Sequence, residues 1–382
     1  MSRKPKKPLN AAVIVAIDLL LTASLLLSFC YFHHVKKLWG LDNTATDTDS
    51  GSQDFTKPIK TTTKTPSTSS APTTDTPSTG SADVTTAEEP KPSYDTSGDF
   101  GEKFGMLFSS DDSINITDDS YQSHDIYMKL TSFDGKLTQA YYQGGATSSE
   151  HVVYYVIDVY VRNVENLYTS YAKGYLDIED LVDMDTAGNK IVDTIAAISG
   201  DLYYGYDKSK KVIVRNGNII RKSSYITEDI CVLYWDGSME TISPEEYDWD
   251  EIAAKGPYQI WSFGPELMDG NGNALTDIDS SLWRWNPRAA IGCVEPGHYV
   301  LAVVNGYRNN SEKASHGVGV NLDVLAQIME DAGCKSAYNL DGGASTYGWY
   351  RGDLLVKVAN ANGSERRISD IICIGEIVGS TD

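Results

Sequence analysis

Basic side chains are scarce in this sequence. Lys and Arg together number 32 against 53 Asp and Glu, for a formal net charge of −21 over 382 residues. A chain so acidic lacks the concentrated cation that grips a phosphate backbone, which excludes nucleic acid as a partner. Paired cysteines are missing too: Cys30, Cys231, Cys293, Cys334 and Cys373 are scattered and form no CxxC pair. That pattern argues for free thiols rather than a disulfide framework or a metal site. Long apolar runs are absent except for one, residues 11–32, interrupted only by Asp18. What the chain has in quantity is aromatic, 24 Tyr and 7 Trp, which suits a β-rich protein and a carbohydrate binder equally.

The single apolar run is long enough to cross a bilayer, and Asp18 within it costs about 3 kcal/mol on insertion scales, little beside so many Leu, Ile and Val. Arg3, Lys4, Lys6 and Lys7 precede it, which places residues 1–10 in the cytoplasm as a basic tail. His33, His34, Lys36 and Lys37 follow on the far side. No small-x-small cleavage site ends the run, so an uncleaved signal anchor over 11–32 is expected, with the rest of the chain extracellular and the protein in the cell membrane as a single-pass protein. Residues 33–98 are rich in Thr, Ser and Pro and carry almost nothing to bury. They are expected to form a disordered stalk.

Residues 99–382 suffice for one large domain with a substantial core. Alternating apolar residues predict a long strand over 152–164, with further strands over 126–132, 211–215, 217–222 and 230–234. Asp134-Gly135, Asn216-Gly217 and Asp236-Gly237 are turn dipeptides between them. Apolar runs at 289–294 and 299–304 are joined by Glu295-Pro296-Gly297-His298, a hairpin in whose register Arg288 faces Asn305. Leu322, Leu325, Ile328 and Met329 recur at helical spacing, with Asn321 as N-cap and Gly333 past the end. A strand over 336–340 then runs into Asp341. Strand, helix, strand implies a right-handed crossover to a strand of the same direction, which puts Arg288, residues 305–308 and residues 341–346 on one rim. The fold class expected is α+β, a mixed β-sheet core with a few packed helices.

The oddest stretch is Asn339-Leu340-Asp341-Gly342-Gly343-Ala344-Ser345-Thr346. A carboxylate at the end of an apolar strand, followed by two glycines and two hydroxyls, is poor core material and suitable for an active-site floor, because glycine lets backbone and ligand approach closely. An ordinary Asp-Gly turn is the bland alternative. Trp283 and Trp285 could stack on a sugar face, or pack along one side of a strand. His316 could be a general acid or a structural residue. Asp269-Gly270-Asn271-Gly272-Asn273 has the alternating oxygens of a calcium loop but lacks Gly at its sixth position and Glu at its twelfth, so a turn is expected and no metal.

The order Asn286-Pro287-Arg288-Ala289-Ala290-Ile291-Gly292, Asn305-Gly306-Tyr307-Arg308, the 322–329 helix and Asn339-Leu340-Asp341-Gly342-Gly343 resembles the phosphodiester glycosidase family. The resemblance extends to Ser199-Gly200-Asp201, Val214-Arg215-Asn216-Gly217, Ser262-Phe263-Gly264-Pro265 and Arg367-Ile368-Ser369-Asp370. It covers most of residues 99–382 and none of the anchor or stalk. Ser199, Ala289 and Asn305 depart from the family's usual Asn, Thr and Asp. The resemblance implies a hydrolase that cuts between a sugar C1 and a phosphate oxygen, with no cofactor. It implies Asp341 as the carboxylate at the anomeric centre, with Asp201 or Asp370 as second acid. Arg288 and Arg308 would grip the departing phosphate bidentately, while Asn305, Asn339, Gly342, Gly343, Ser345, Thr346 and His316 would shape the sugar-phosphate pocket. Its substrate would be a glycosyl phosphodiester of cell-envelope polymer or exopolysaccharide. A glycan-binding relative without turnover, suggested by the three departures, is the rival, and a purely structural anchor the third class.

Overall fold

The strands that carry the central rim are buried along nearly their whole length and are covered on both faces. The computed structural model describes residues 99–171, 182–183, 194–202, 211–306, 317–358 and 366–377. The expected anchor, the stalk, Arg308 and His316 lie outside the described residues, all of which fall in one compact unit, Thr85–Asp382. Among the described residues no helix is long and apolar enough to cross a membrane.

Strand dominates, with few helices. One sheet has seven strands, in the order Asn115–Ile116, Ser120–Gln122, Ile126–Ala140, Thr147–Val161, His298–Val304, Arg288–Glu295 and Ser336–Leu340. A second runs Met239–Ile242, Ile230–Tyr234, Pro257–Trp261, Ile213–Arg215, Asn218–Arg221, and a third Asp353–Lys357, Tyr347–Tyr350, Thr194–Ser199, Asp370–Gly375, Leu167–Tyr171. Side chains from all three, among them Ile157, Leu301, Leu233, Ile198 and Ile372, meet in one core. The opposite face of the seven-stranded sheet is covered by the helix Leu322–Asp331, whose Leu322, Leu325, Ala326 and Met329 pack on Ala290, Val300 and Ala302. Both faces of the central strands are thus dry, which explains why they alternate so little.

The helix starts and stops where its residues dictate. Asn321 Oδ1 accepts from the Val324 N–H at 2.9 Å, and its Nδ2 donates to the Ala140 carbonyl at 3.0 Å. At the far end Gly333 takes φ +87°, and Cys334 N–H donates back to the Met329 carbonyl at 3.1 Å, closing the helix through a left-handed residue. Replacing Asn321 with alanine removes the cap and one of the two donors to the Ala140 carbonyl, which keeps Trp285 Nε1 at 2.7 Å. We expect a loss of about 1–2 kcal/mol in the free energy of chemical unfolding. An unchanged midpoint would show that the cap contributes nothing.

Three expectations need correction. The core sheet is not mixed: every pairing between described strands is antiparallel. His298–Val304 and Ser336–Leu340 do run the same way, but Arg288–Glu295 lies between them and pairs with both. Their carboxyl ends still share an edge. In the hairpin, Arg288 faces Val304 rather than Asn305, because a bulge between Cys293 and Glu295 inserts one extra residue beside the turn. And Asp134-Gly135 is no turn: both lie inside the strand Ile126–Ala140, opposite Val153 and Val152. The 15-residue partner Thr147–Val161 offers a ladder through that point, while the ring of Phe133 leans over Gly135 and stacks on Tyr154 at 4.8 Å between centroids. Asn216-Gly217, by contrast, turns as expected, with φ +51° and +77°, the pair of values a tight hairpin requires.

Cys231, Cys293, Cys334 and Cys373 are buried free thiols, as their spacing implies. Asp269 turns the chain, its carboxylate accepting from the Asn271 and Asn273 N–H groups, both at 2.8 Å.

Candidate functional site

The stretch 339–346 leaves one sheet and enters another. Ser336–Leu340 ends at Asp341, whose N–H donates to the Gly200 carbonyl at 3.0 Å. Gly342 passes so close to Pro287 that a Cβ there would sit 2.7 Å from its carbonyl oxygen, and Gly343 at φ +64° donates to the same carbonyl at 2.8 Å. Only glycine fits both constraints. The chain then makes one short turn and joins the third sheet at Tyr347, whose N–H donates to Ser199 Oγ at 3.2 Å.

Asp341 opens on a cleft of about 740 Å³, whose wall includes Lys211, Arg288, Gly342, Gly343 and Arg366. Its carboxyl is raised to about 6, chiefly by burial. The Ser345 hydroxyl, the Arg366 guanidinium and the Gly342 N–H pull against that rise, and Asp201 adds to it. A carboxyl poised near neutrality at the wall of a cleft, with a guanidinium near enough to act on it, is suited to acid, base or nucleophile chemistry.

Asp201 and Asp370 have a different setting. Asp201 follows the strand Thr194–Ser199, Asp370 opens the strand Asp370–Gly375, and between them lies Arg215, at the end of Ile213–Arg215. All three side chains are fully buried. Arg215 Nε donates to Asp370 Oδ2 at 2.7 Å and Nη2 to Asp201 Oδ2 at 3.1 Å, while Nη1 donates to the Val214 carbonyl at 2.9 Å and to the Ile260 carbonyl. Asp370 Oδ1 accepts from the Asp201 N–H at 2.7 Å, and Asp201 Oδ2 accepts from the Ser262 N–H at 2.8 Å. Burial raises Asp370 against the downward pull of Arg215. A Cβ on Gly200 would lie 2.2 Å from Asp370 Oδ1, so the Gly200 backbone that supports Asp341 rests directly on this ion triad.

Arg288 is also buried, but among carbonyls. Its Nε donates to Val320 at 3.2 Å and its Nη2 to Leu282 at 2.5 Å and to Arg284. Burial pushes it down to about 9, still protonated at neutral pH. Two of its three nitrogens therefore tie it to residues 282, 284 and 320, and among the described residues Nη1 has no such carbonyl and remains for the cleft. Asn305 lies beside this segment, its N–H on the Val153 carbonyl at 2.9 Å and its Oδ1 on the Gly306 N–H at 2.8 Å, and it is not part of the cleft wall. Asn339, Ser345 and Thr346 are wholly buried behind the wall; Asn339 Nδ2 donates to the Gly264 carbonyl at 2.7 Å. Trp283 is core, its Nε1 on Asp323 Oδ1 at 2.8 Å, so it offers no face to a sugar.

Arg215, Lys211 and Arg366 are the groups that sequence reasoning gave no role. For Arg215 there was a signal: a cation closing the apolar run Val212-Ile213-Val214 must be buried, and a buried cation requires carboxylates. Lys211 and Arg366 join the cleft only through space, and nothing local marks them.

A cleft whose wall carries Lys211, Arg288 and Arg366 together with a poised carboxylate suits a hydrolase acting beside an anionic group. The phosphodiester glycosidase family matches residues 193–375, a span holding Asp201, Arg215, Arg288, Asp341, Arg366 and Asp370, and so bears out the family resemblance and supports a hydrolase of the glycosidase type. Among solved structures, the chain is similar to the catalytic domain of zebrafish N-acetylglucosamine-1-phosphodiester alpha-N-acetylglucosaminidase auto-inhibited by its pro-peptide, at 18% identity and TM-score 0.49, over 65% of this chain and 84% of that one. It is also similar to a hypothetical protein from Synechocystis, at 13% identity and TM-score 0.44, over 69% of this chain and 64% of that one. No curated protein matches.

Proposed function

We propose that this chain is a membrane-anchored extracellular hydrolase that cleaves the bond between a sugar C1 and a phosphate oxygen in a glycosyl phosphodiester of cell-envelope polymer or exopolysaccharide. The observation that carries the reading is Asp341 at the cleft wall, raised to about 6, within electrostatic reach of Arg366. Phosphate leaves as an anion, so its departure needs positive charge more than a proton. Lys211, Arg366 and Arg288 Nη1 supply that charge. Ionised Asp341 stabilises the oxocarbenium-like centre or activates water on the other side of the ring. Asp201 and Asp370 spend their charge on Arg215 and hold Asp341 through Gly200. The apolar run 11–32 anchors the chain and the stretch 33–98 holds the domain away from the bilayer.

One observation favours the rival, a glycan-binding relative without turnover: Asn305 stands where the family usually has a carboxylate, and its amide oxygen is spent on its own neighbour. Full-length protein in detergent, offered a sugar-1-phosphate methyl diester, separates the two. Release of reducing sugar is expected. Binding without release gives the glycan-binding reading, and neither binding nor release leaves only a structural role.

A further inference from the structure

The turn after the strand Ile126–Ala140 carries two tyrosines that the fold does not bury: Tyr141 is 42% and Tyr142 55% exposed. Their rings meet edge to face at 4.7 Å, and Tyr141 meets Trp285 in the same way at 5.1 Å. The Arg284 guanidinium lies 5.0 Å over the Tyr142 ring. Single exposed aromatics are ordinary on a protein surface, but three linked in a row through Tyr141, with a guanidinium over the ring of Tyr142, form a platform. It is a built one. Trp285 Nε1 donates to the Ala140 carbonyl at 2.7 Å, and Gln143 Nε2 to the Ile278 carbonyl at 2.6 Å, tying the turn to the 278–288 segment.

That segment is the cleft wall. Leu282, Asn286 and Arg288 line the cleft, while Arg284 and Trp285, between them in the chain, belong to the platform. Arg288 Nη2 donates to the Arg284 carbonyl, so the cation at the cleft and the cation at the platform are one hydrogen bond apart along the backbone. Aromatic rings take the apolar faces of sugars, and a guanidinium takes phosphate oxygens. A chain in which sugars alternate with phosphates presents both at short spacing.

We infer that Tyr141, Tyr142, Trp285 and Arg284 form a second subsite that holds the neighbouring phosphate-linked sugar of a polymeric substrate while the scissile unit occupies the cleft. This rests on the hydrolase reading for its purpose, yet it predicts binding by itself. The occupant is the glycan polymer; a protein partner on the same face would leave polymer binding untouched.

The test uses full-length protein in detergent with two probes: a phosphodiester-linked hexose polymer such as phosphomannan, and a monosaccharide-1-phosphate methyl diester too short to span both sites. The Tyr141→Ala, Tyr142→Ala double variant is expected to bind the polymer about tenfold more weakly in affinity electrophoresis, the size of one stacking contact. The ratio of kcat/KM for polymer over short diester should fall by the same factor. Tyr141→Phe, Tyr142→Phe keeps the rings and should keep the affinity, and Arg284→Gln should weaken polymer binding more at low salt than at high. Polymer binding unchanged in the double alanine variant, or absent from the wild type, overturns the subsite. If neither probe is turned over but polymer binding still falls in the double variant, the hydrolase reading fails and the subsite stands.

Discussion

Asp341→Asn is expected to lower kcat on a sugar-1-phosphodiester about a thousandfold and, at the same time, to make the protein more stable at neutral pH. The first effect follows from the place proposed for the carboxylate at the anomeric centre, since removing one acid or base group costs 10²–10⁴ in rate. Asparagine keeps the shape and removes the charge. The second follows from burial. A carboxyl raised from 3.8 to about 6 binds its proton more tightly in the folded chain than in the unfolded one. Between these values the folded state holds more protons, so stability falls as pH rises. Below about 4 Asp341 costs nothing, and above 6 its full burial cost is present, about 3 kcal/mol at two pKa units. The asparagine variant should therefore melt higher than the wild type at pH 7.5 and alike at pH 4. The wild-type rate should rise through an apparent pKa near 6 as the carboxylate ionises. Loss of rate without the pH-dependent gain in stability would mean that the variant had merely disturbed the cleft.

Much of the frame around Asp341 is legible in the sequence, and the reasons are local. The strand Ile230–Tyr234 and the strand Ser336–Leu340 occupy the residues expected of them because short apolar runs bounded by turns leave few alternatives. The helix Leu322–Asp331 follows from spacing and from Asn321, whose side chain can satisfy an N–H only at such a start. Failures occur where a distant partner decides. Asp134-Gly135 is a turn in isolation and a strand beside Thr147–Val161. The register of Arg288 depends on a bulge at Val294 that leaves no mark in composition, because a one-residue insertion costs little next to a turn. The cleft shows the same division. Asp341-Gly342-Gly343 is conspicuous because its glycines answer to Pro287 directly. Arg288 looks free from its neighbours in sequence, yet carbonyls of residues 282, 284 and 320 claim two of its nitrogens. Asp201 and Asp370 read in the sequence as alternative second acids beside Asp341, and nothing near either of them announces that Arg215, 14 and 155 residues away, lies between them.

That triad makes the strongest prediction about stability. Arg215→Met leaves a side chain of similar reach but removes the cation that, among the described residues, pairs with both fully buried carboxylates. Breaking a buried ion pair from one side costs about 3–5 kcal/mol, because a charge is left without solvent or partner; here two are left. The same loss acts on the cleft, since Gly200, which accepts the Asp341 N–H, packs on the Asp370 carboxylate. Urea unfolding at pH 7 should show the full deficit. At pH 4 it should shrink, because protonation relieves the repulsion that arginine no longer screens, and Asp370 is already held high by burial. The triple variant Arg215→Met, Asp201→Asn, Asp370→Asn replaces every charge with a neutral group of similar size. It should recover most of the lost stability, as apolar or neutral replacements of whole buried ion clusters do. An equal deficit at both pH values, with no recovery in the triple variant, would show that Arg215 acts by packing and that its charge is incidental. Recovery of stability with Asp341-dependent turnover intact would show that the triad holds the cleft in place without entering the chemistry, and that its two aspartates are supports for a third.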